Sequence, residues 1–337
     1  MNELTFSPTT VTTSLGNGEP ISLETGRIAK QAHGAVVARQ GGTMVLVAAC
    51  HAAPREGIDF FPLTVDYRES VFAAGKIPGG WFKREGRPTL KETLTSRLID
   101  RPLRPLFEEG YNDDTMVTAQ VISYDGQHAP ETLAMTAASA ALVISEIPFP
   151  NPVAGVRVGR VNGAFLVNPT TEQRATSDLD LLVAGTSEAI VMVECGAQEV
   201  LEADMVKALA FGHDEIKKLV KLQEEFRAKV GKPKVVPTKT ETNTEVYNAI
   251  AAKYAEKLMA ALTMKVKIES YKALDLLKKE VVATFTAEKP ELKADVKAAF
   301  DLLKETLFRN AILKQGVRLD GRKFDQIRPL NIEVGFL

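Results

Sequence analysis

The spacing of hydrophobic and polar positions divides the chain into a strand-rich first part and a helical second part. β-rich runs at 36–39 and 44–49 flank Gln40-Gly41-Gly42, and a Gly-Gly pair supplies the positive φ angles of a hairpin turn. A further strand signal, alternating in part, covers 60–67. After Pro88, Thr89 is placed to cap a helix whose apolar face reads as Leu90, Leu94 and Leu98, and Pro102 ends it within a residue or two. Strands are predicted at 116–124, across 156–167 with a hairpin at Asn162-Gly163, and at 179–184 and 189–194 around Gly185-Thr186. Between them, 130–145 reads as a helix whose Ala134, Ala137, Ala138, Ala140 and Ala141 let it lie close against a sheet. Met205, Leu209, Gly212, Ile216, Leu219, Phe226 and Val230 recur at helical steps, which predicts one long helix ended by Gly231 and Pro233.

From Lys232 to Asn243 the composition is that of a linker. Thr242-Asn243-Thr244-Glu245 then resembles a capping box. Val246, Ile250, Tyr254, Leu258 and Leu262 continue at helical spacing, and further helices are predicted over 273–285 and 296–312, with Gly316 as the stop. The pattern therefore predicts a mixed strand-and-helix domain followed by a small all-helical one.

Composition narrows the partners. The 337 residues are 45% hydrophobic and 25% charged, with 42 basic and 43 acidic residues for a net charge of −1. Such a chain is an ordinary globular protein of about two domains, and any nucleic-acid site on it must be a local patch. Cys50 and Cys195 read as buried free thiols in a reducing compartment. No membrane span, leader-like apolar run, Walker loop, dinucleotide fingerprint or paired-cysteine zinc signature occurs, so the expected location is the cytoplasm. His33, His51, His128 and His213 are scattered in sequence, and no metal site is assigned to them.

Two stretches carry candidate chemistry. Gly79-Gly80-Trp81-Phe82-Lys83-Arg84-Glu85-Gly86-Arg87-Pro88 sets two aromatics beside three cations in a glycine-bounded loop. Rings that stack on bases, next to charges that pair with phosphates, suit single-stranded nucleic acid; a solvated turn with its rings packed on the core is the other reading. Arg97 and Arg101 share a helix face, with Arg104 just beyond, and can serve phosphate or pair with Asp100, Glu108 or Glu109. In Asp178-Leu179-Asp180 two acids two residues apart can either approach one Mg²⁺ or form the polar entry to a buried strand.

Taken together, Leu23-Glu24-Thr25-Gly26-Arg27, Asp59-Phe60-Phe61-Pro62-Leu63-Thr64-Val65, Ala74-Gly75-Lys76-Ile77-Pro78-Gly79, Phe82-Lys83-Arg84-Glu85-Gly86-Arg87-Pro88 and Arg97-Leu98-Ile99-Asp100-Arg101-Pro102-Leu103-Arg104-Pro105 resemble bacterial polynucleotide phosphorylase. The likeness continues through Val183-Ala184-Gly185-Thr186 to Arg318-Leu319-Asp320-Gly321-Arg322. It implies an α+β ribonuclease-PH-like domain with a ribosomal protein S5 domain 2-like core at 1–235, an all-α helical domain at 236–315, and the start of a second ribonuclease-PH-like domain at 316–337. It further implies a homotrimeric ring threading single-stranded RNA, partner proteins of RNA degradation, and phosphate-dependent release of nucleoside diphosphates from the 3′ end with Mg²⁺.

By the resemblance, the family's active site lies in its second ring domain. Ala129-Pro130-Glu131 stands here where the active half has serines that cradle phosphate. Asp180 stands at one catalytic aspartate, Leu182 at the catalytic lysine, and Arg174 near the other aspartate. The implied reading is a non-catalytic copy, with no catalytic or metal residues, no bound cofactor expected, and RNA held by Trp81, Phe82, Lys83, Arg84, Arg87, Arg97, Arg101 and Arg104. Its alternatives are a Mg²⁺-dependent RNA-cleaving domain and a purely structural assembly module.

Overall fold

The computed structural model describes residues 8–16, 18–54, 60–80, 86–237, 242–287, 289–316 and 318–336. The chain divides into two compact units, 1–239 and 240–337.

In the first unit, β1 (Thr9–Thr13), β2 (Ile21–Thr25), β3 (Gly34–Gln40), β4 (Thr43–Ala52), β5 (Leu63–Glu69) and β6 (Asp114–Ser123) form one sheet in the order β1-β2-β3-β4-β6-β5. The β3–β4 hairpin turns through Gly41 at φ +56°, pairing Gly34 with Ala49, and β5 runs parallel to β6. Helix α1 (Leu90–Leu103) joins β5 to β6, and α2 (Pro130–Ile144) follows β6. The second sheet has the order β10-β9-β7-β8, from β7 (Ala154–Val161), β8 (Ala164–Val167), β9 (Leu179–Gly185) and β10 (Ile190–Ala197). The short α3 (Thr171–Ala175) precedes β9, and the long α4 (Glu202–Val230) completes the unit.

Helix α2 is the centre of this unit. All 15 of its residues are buried, and it packs on β3, β4 and β6 of the first sheet, β7 of the second, and α4. A helix covered on every side needs small residues for close approach and partners for its hydroxyls. Both needs are met here. A Cβ at Gly34 would lie 2.0 Å from the Ala141 carbonyl oxygen, while Ser139 and Thr136 accept the backbone N–H groups of Val153 and Gly155.

Three expectations change at the level of side chains. Helix α1 is capped by Thr89 and ends at Leu103, yet its buried residues are Glu92, Thr95, Ile99, Pro102 and Leu103, and Leu90 is 76% exposed. Glu92 sets this rotation by accepting from the N–H groups of Thr89 and Glu69, which draws a carboxylate inward and turns Leu90 and Leu94 out. Cys50 and Cys195 are free but exposed: Cys50 lies beyond the buried phase of β4, and Cys195 lies on β10, an edge strand. At the start of the helical unit, Asn243 caps α5, accepting from the N–H groups of Glu245 and Val246.

The second unit packs α5 (Thr244–Leu262), α6 (Lys267–Thr286) and α7 (Lys293–Gln315) around Ile250, Tyr254, Leu258, Val281, Phe300 and Leu303. Gly316 ends α7 at φ +65°, and Leu319 returns to this core.

Candidate nucleic-acid interface

Trp81, Phe82, Lys83 and Arg84 lie outside the described residues. Arg87 is exposed just before Thr89, so the capping box at Thr89 and Glu92 fixes where the chain enters α1. Arg97 is exposed on the same helix and makes no ion pair among the described residues. Arg101 donates to Glu194 of β10 at 2.5 Å. Both side chains are half exposed, so water and salt screen the pair and its hold on Arg101 is weak.

Arg104 is engaged differently. It donates twice to Asp100, to the Leu63 carbonyl at 2.9 Å and to the Phe61 carbonyl at 3.3 Å. One guanidinium thus ties the end of α1 to the start of β5. The helix brings Arg97 and Arg101 together on one face, while Arg104 fastens the helix to the sheet.

The acids on and beside β9 are both occupied. Asp178 precedes the strand and accepts from Arg160 Nε and Nη2. Asp180 accepts from Arg157 and from Arg174, the latter at 3.2 Å. Burial disfavours the charged form of Asp180, but the two guanidiniums outweigh it and hold the carboxyl below its usual range. Leu182, two residues on and 3% exposed, stands opposite Arg157 across the strands, so it shares a face with Asp180 and Arg157. Glu131, at the first turn of α2, is 7% exposed and meets Lys91 at 3.3 Å. Two acids already bonded to three arginines make a poor divalent-cation site, since the cation would have to displace bound positive charge.

One group of side chains had no signature in the spacing. His33, His51 and Glu146 converge, although 18 and 95 residues separate them in sequence. The hairpin accounts for the first two only in part: continuing the register past Gly34 and Ala49 sets His33 against Cys50, and His51 follows one residue further at the same end of the ribbon. A count outward from Gly41-Gly42 would have brought the two histidines to within one residue of register; Glu146, just beyond the end of α2, has no such cue.

Two sheets folded about a buried alanine-rich helix define the first unit as a ribonuclease-PH-like α+β domain, followed in the chain by an all-helical one. Residues 17–148 match the 3′ exoribonuclease family, domain 1, and 151–215 match domain 2 of that family. Residues 245–323 match the polyribonucleotide nucleotidyltransferase RNA binding domain. The rice (Oryza sativa) protein Rrp46 shares the fold, with a TM-score of 0.52, covering 64% of this chain and 97% of its own at 17% identity. Polyribonucleotide nucleotidyltransferases of Heliobacterium modesticaldum and Aquifex aeolicus are 48% and 49% identical over 95% of this chain, which covers 45% and 41% of theirs. The chain belongs to the polyribonucleotide nucleotidyltransferase family, and it spans just under half the length of these relatives. Among the described residues, no helix is long and apolar enough to cross a membrane.

Proposed function

We propose that this chain supplies the RNA-guiding and ring-building share of a phosphate-dependent 3′-to-5′ exoribonuclease and does not itself cut RNA. The observation that carries the reading is the Asp180 clamp: the one acid retained at the catalytic position is spent on Arg157 and Arg174. Phosphoryl transfer needs cations and donors aimed at the transferring group. Here Leu182 offers no charge, and Glu131 is an acid where a phosphate would need donors.

Arg87 and Arg97 are the exposed cations available to an RNA backbone beside α1, and Arg101 joins them by exchanging Glu194 for phosphate. Arg104 acts by holding the helix in place. The loop with Trp81, Phe82, Lys83 and Arg84 enters this surface on its residue types alone. The match of 245–323 to a domain described as RNA binding supports a second contact on the helical unit. Homotrimer formation, partner proteins, and Mg²⁺ and phosphate as cofactors belong to the longer protein under this reading.

The test measures phosphate-dependent ADP release from poly(A), with Mg²⁺, alongside binding of a fluorescent single-stranded oligonucleotide. The expected result is no ADP, with binding whose log affinity falls linearly with log salt, since each neutralised phosphate releases counterions. ADP release that disappears in Asp180→Asn would overturn the non-catalytic reading. Absence of salt-dependent binding would overturn the RNA-guiding one and leave a structural module.

A further inference from the structure

The His33, His51 and Glu146 cluster is a site of a different kind from the RNA surface. We infer that these three side chains form a binding site for a divalent transition ion of the zinc class, independent of phosphorolysis.

Geometry comes first. His33 Nε2 lies 3.8 Å from Glu146 Oε1, and His51 Nε2 lies 4.0 Å from the same oxygen. The three ligand atoms lie within 4.8 Å of one another. Around tetrahedral zinc, ligand atoms stand about 3.4 Å apart, so each imidazole need close on the carboxylate by only about half an ångström, and the two imidazoles on each other by about 1.4 Å at most. Two nitrogens and one carboxylate oxygen are a donor set that zinc favours over Mg²⁺ or Ca²⁺, and a water completes four-coordination.

The surroundings already orient two of the ligands. His51 Nδ1 donates to Asp113 Oδ2 at 2.8 Å, which leaves the lone pair on Nε2, facing Glu146. This carboxylate–histidine pairing is the arrangement that orients metal-bound imidazoles and raises their basicity. Lys232 donates to Glu146 Oε2 at 3.0 Å and to the His33 carbonyl at 2.8 Å, fixing the carboxylate with Oε1 turned to the rings. Neither Nε2 has a hydrogen bond among the described residues. The His33 side chain is 34% exposed, so an ion reaches the site from solvent without opening the core.

One contact opposes loading. His33 Nδ1 accepts the His51 backbone N–H at 3.2 Å, which puts the proton of its neutral ring on Nε2. Binding through Nε2 requires the other tautomer and gives up that long hydrogen bond. Lys232 adds positive charge nearby. Both features make the site weaker than a dedicated structural zinc centre. An ion there would join the end of β4, the residue before β3 and the segment after α2.

The experiment uses the full 337-residue chain carrying Cys50→Ser and Cys195→Ser, so that exposed thiols cannot account for binding. Zn²⁺ alone is titrated against a chromophoric chelator near neutral pH, and the melting temperature is followed with and without Zn²⁺. The expected result is one equivalent per chain and a rise in melting temperature, with affinity about tenfold weaker in Asp113→Asn and binding lost in His51→Ala and in Glu146→Gln. Zinc stoichiometry and affinity unchanged in both of the latter variants would overturn the site. Should those variants fail to fold, Co²⁺ added to the thiol-free chain decides: intense visible absorption of four-coordinate cobalt supports the cluster, and the faint spectrum of hydrated cobalt overturns it.

Discussion

Removing the Asp180 carboxylate tests whether that acid is a counter-ion or a catalytic remnant. Arg157 is only 12% exposed at its side chain and Asp180 is 46% exposed. The Arg157 Nε is buried with no hydrogen-bond partner. In Asp180→Ala, Arg157 and Arg174 are left facing each other with no neutralising charge. Breaking a fully buried pair costs about 3–5 kcal/mol and an exposed one about 0–1 kcal/mol. With Arg157 buried but Asp180 half in water, the expected loss is about 2 kcal/mol, or about 4–8 °C in melting temperature for a unit of this size. Urea denaturation followed by circular dichroism measures it, and a cycle with Arg157→Met should return a coupling of about 1 kcal/mol or more. Asp180→Ala within about 0.5 kcal/mol of the parent would refute the clamp. So would stabilisation of the parent by Mg²⁺ that vanishes in the variant, because a cation held by Asp180 is what the clamp excludes.

Other outcomes follow from single contacts. Gly34→Ala drives a Cβ into the Ala141 carbonyl at 2.0 Å, on a helix with no free side to yield, and should cost about 3 kcal/mol in a denaturant titration. Burial works against the charge of Asp125, but bonds from the His128 ring and from the amides of His128, Gln127 and Gly42 overcome it and hold the carboxyl well below its usual range. That contribution is complete above the ordinary value of about 3.9 and is lost as the pH falls through the lower folded value. Asp125→Asn should therefore be less stable at neutral pH, by about 1–3 kcal/mol, and lose less on acidification; acid melting curves compare the two. Arg97→Ala should lower the salt slope of oligonucleotide binding by about one without changing stability, whereas Arg104→Ala, which frees the Phe61 and Leu63 carbonyls, should lower the melting temperature.

Period and punctuation carried most of the backbone. The seven-residue ladder from Met205 to Val230 predicts a single helix, and α4 is that helix; the polar residues on its packed face, Glu215 and Gln223, are bonded to the Gly16 amide and the Val153 carbonyl and leave the stripe intact. The same reasoning misplaced the buried face of α1. Periodicity counts leucines, whereas the rotation of α1 is set by Glu92, whose bonds to two backbone N–H groups repay its burial. The placement of candidate residues was legible where it is local, as for Arg97 and Arg101, whose four-residue spacing puts them on one face of α1. It was not legible where strands bring distant residues together. Arg157 faces Asp180 only through the β7–β9 register, and Glu146 meets His33 only because α2 ends above the β3–β4 hairpin.

The register also explains why an acid is held on this face. Arg157, Asp180 and Leu182 share one side of the second sheet, and Glu194 stands opposite Leu182 on the next strand, where it binds Arg101. Charge on this face is largely offset locally: Asp180 is shared between Arg157 and Arg174, and Glu194 pairs with Arg101, which leaves one net positive charge. A lysine at position 182 would add a third cation beside Arg157 and Arg174, on a buried site where an unpaired ammonium is costly. Leucine at 182 and arginine at 157 and 174 are therefore coupled choices. Under the function proposed above, a lysine placed at 182 alone would raise the energy of the fold, so building a phosphoryl-transfer site on this face would require changing the arginines together with the leucine.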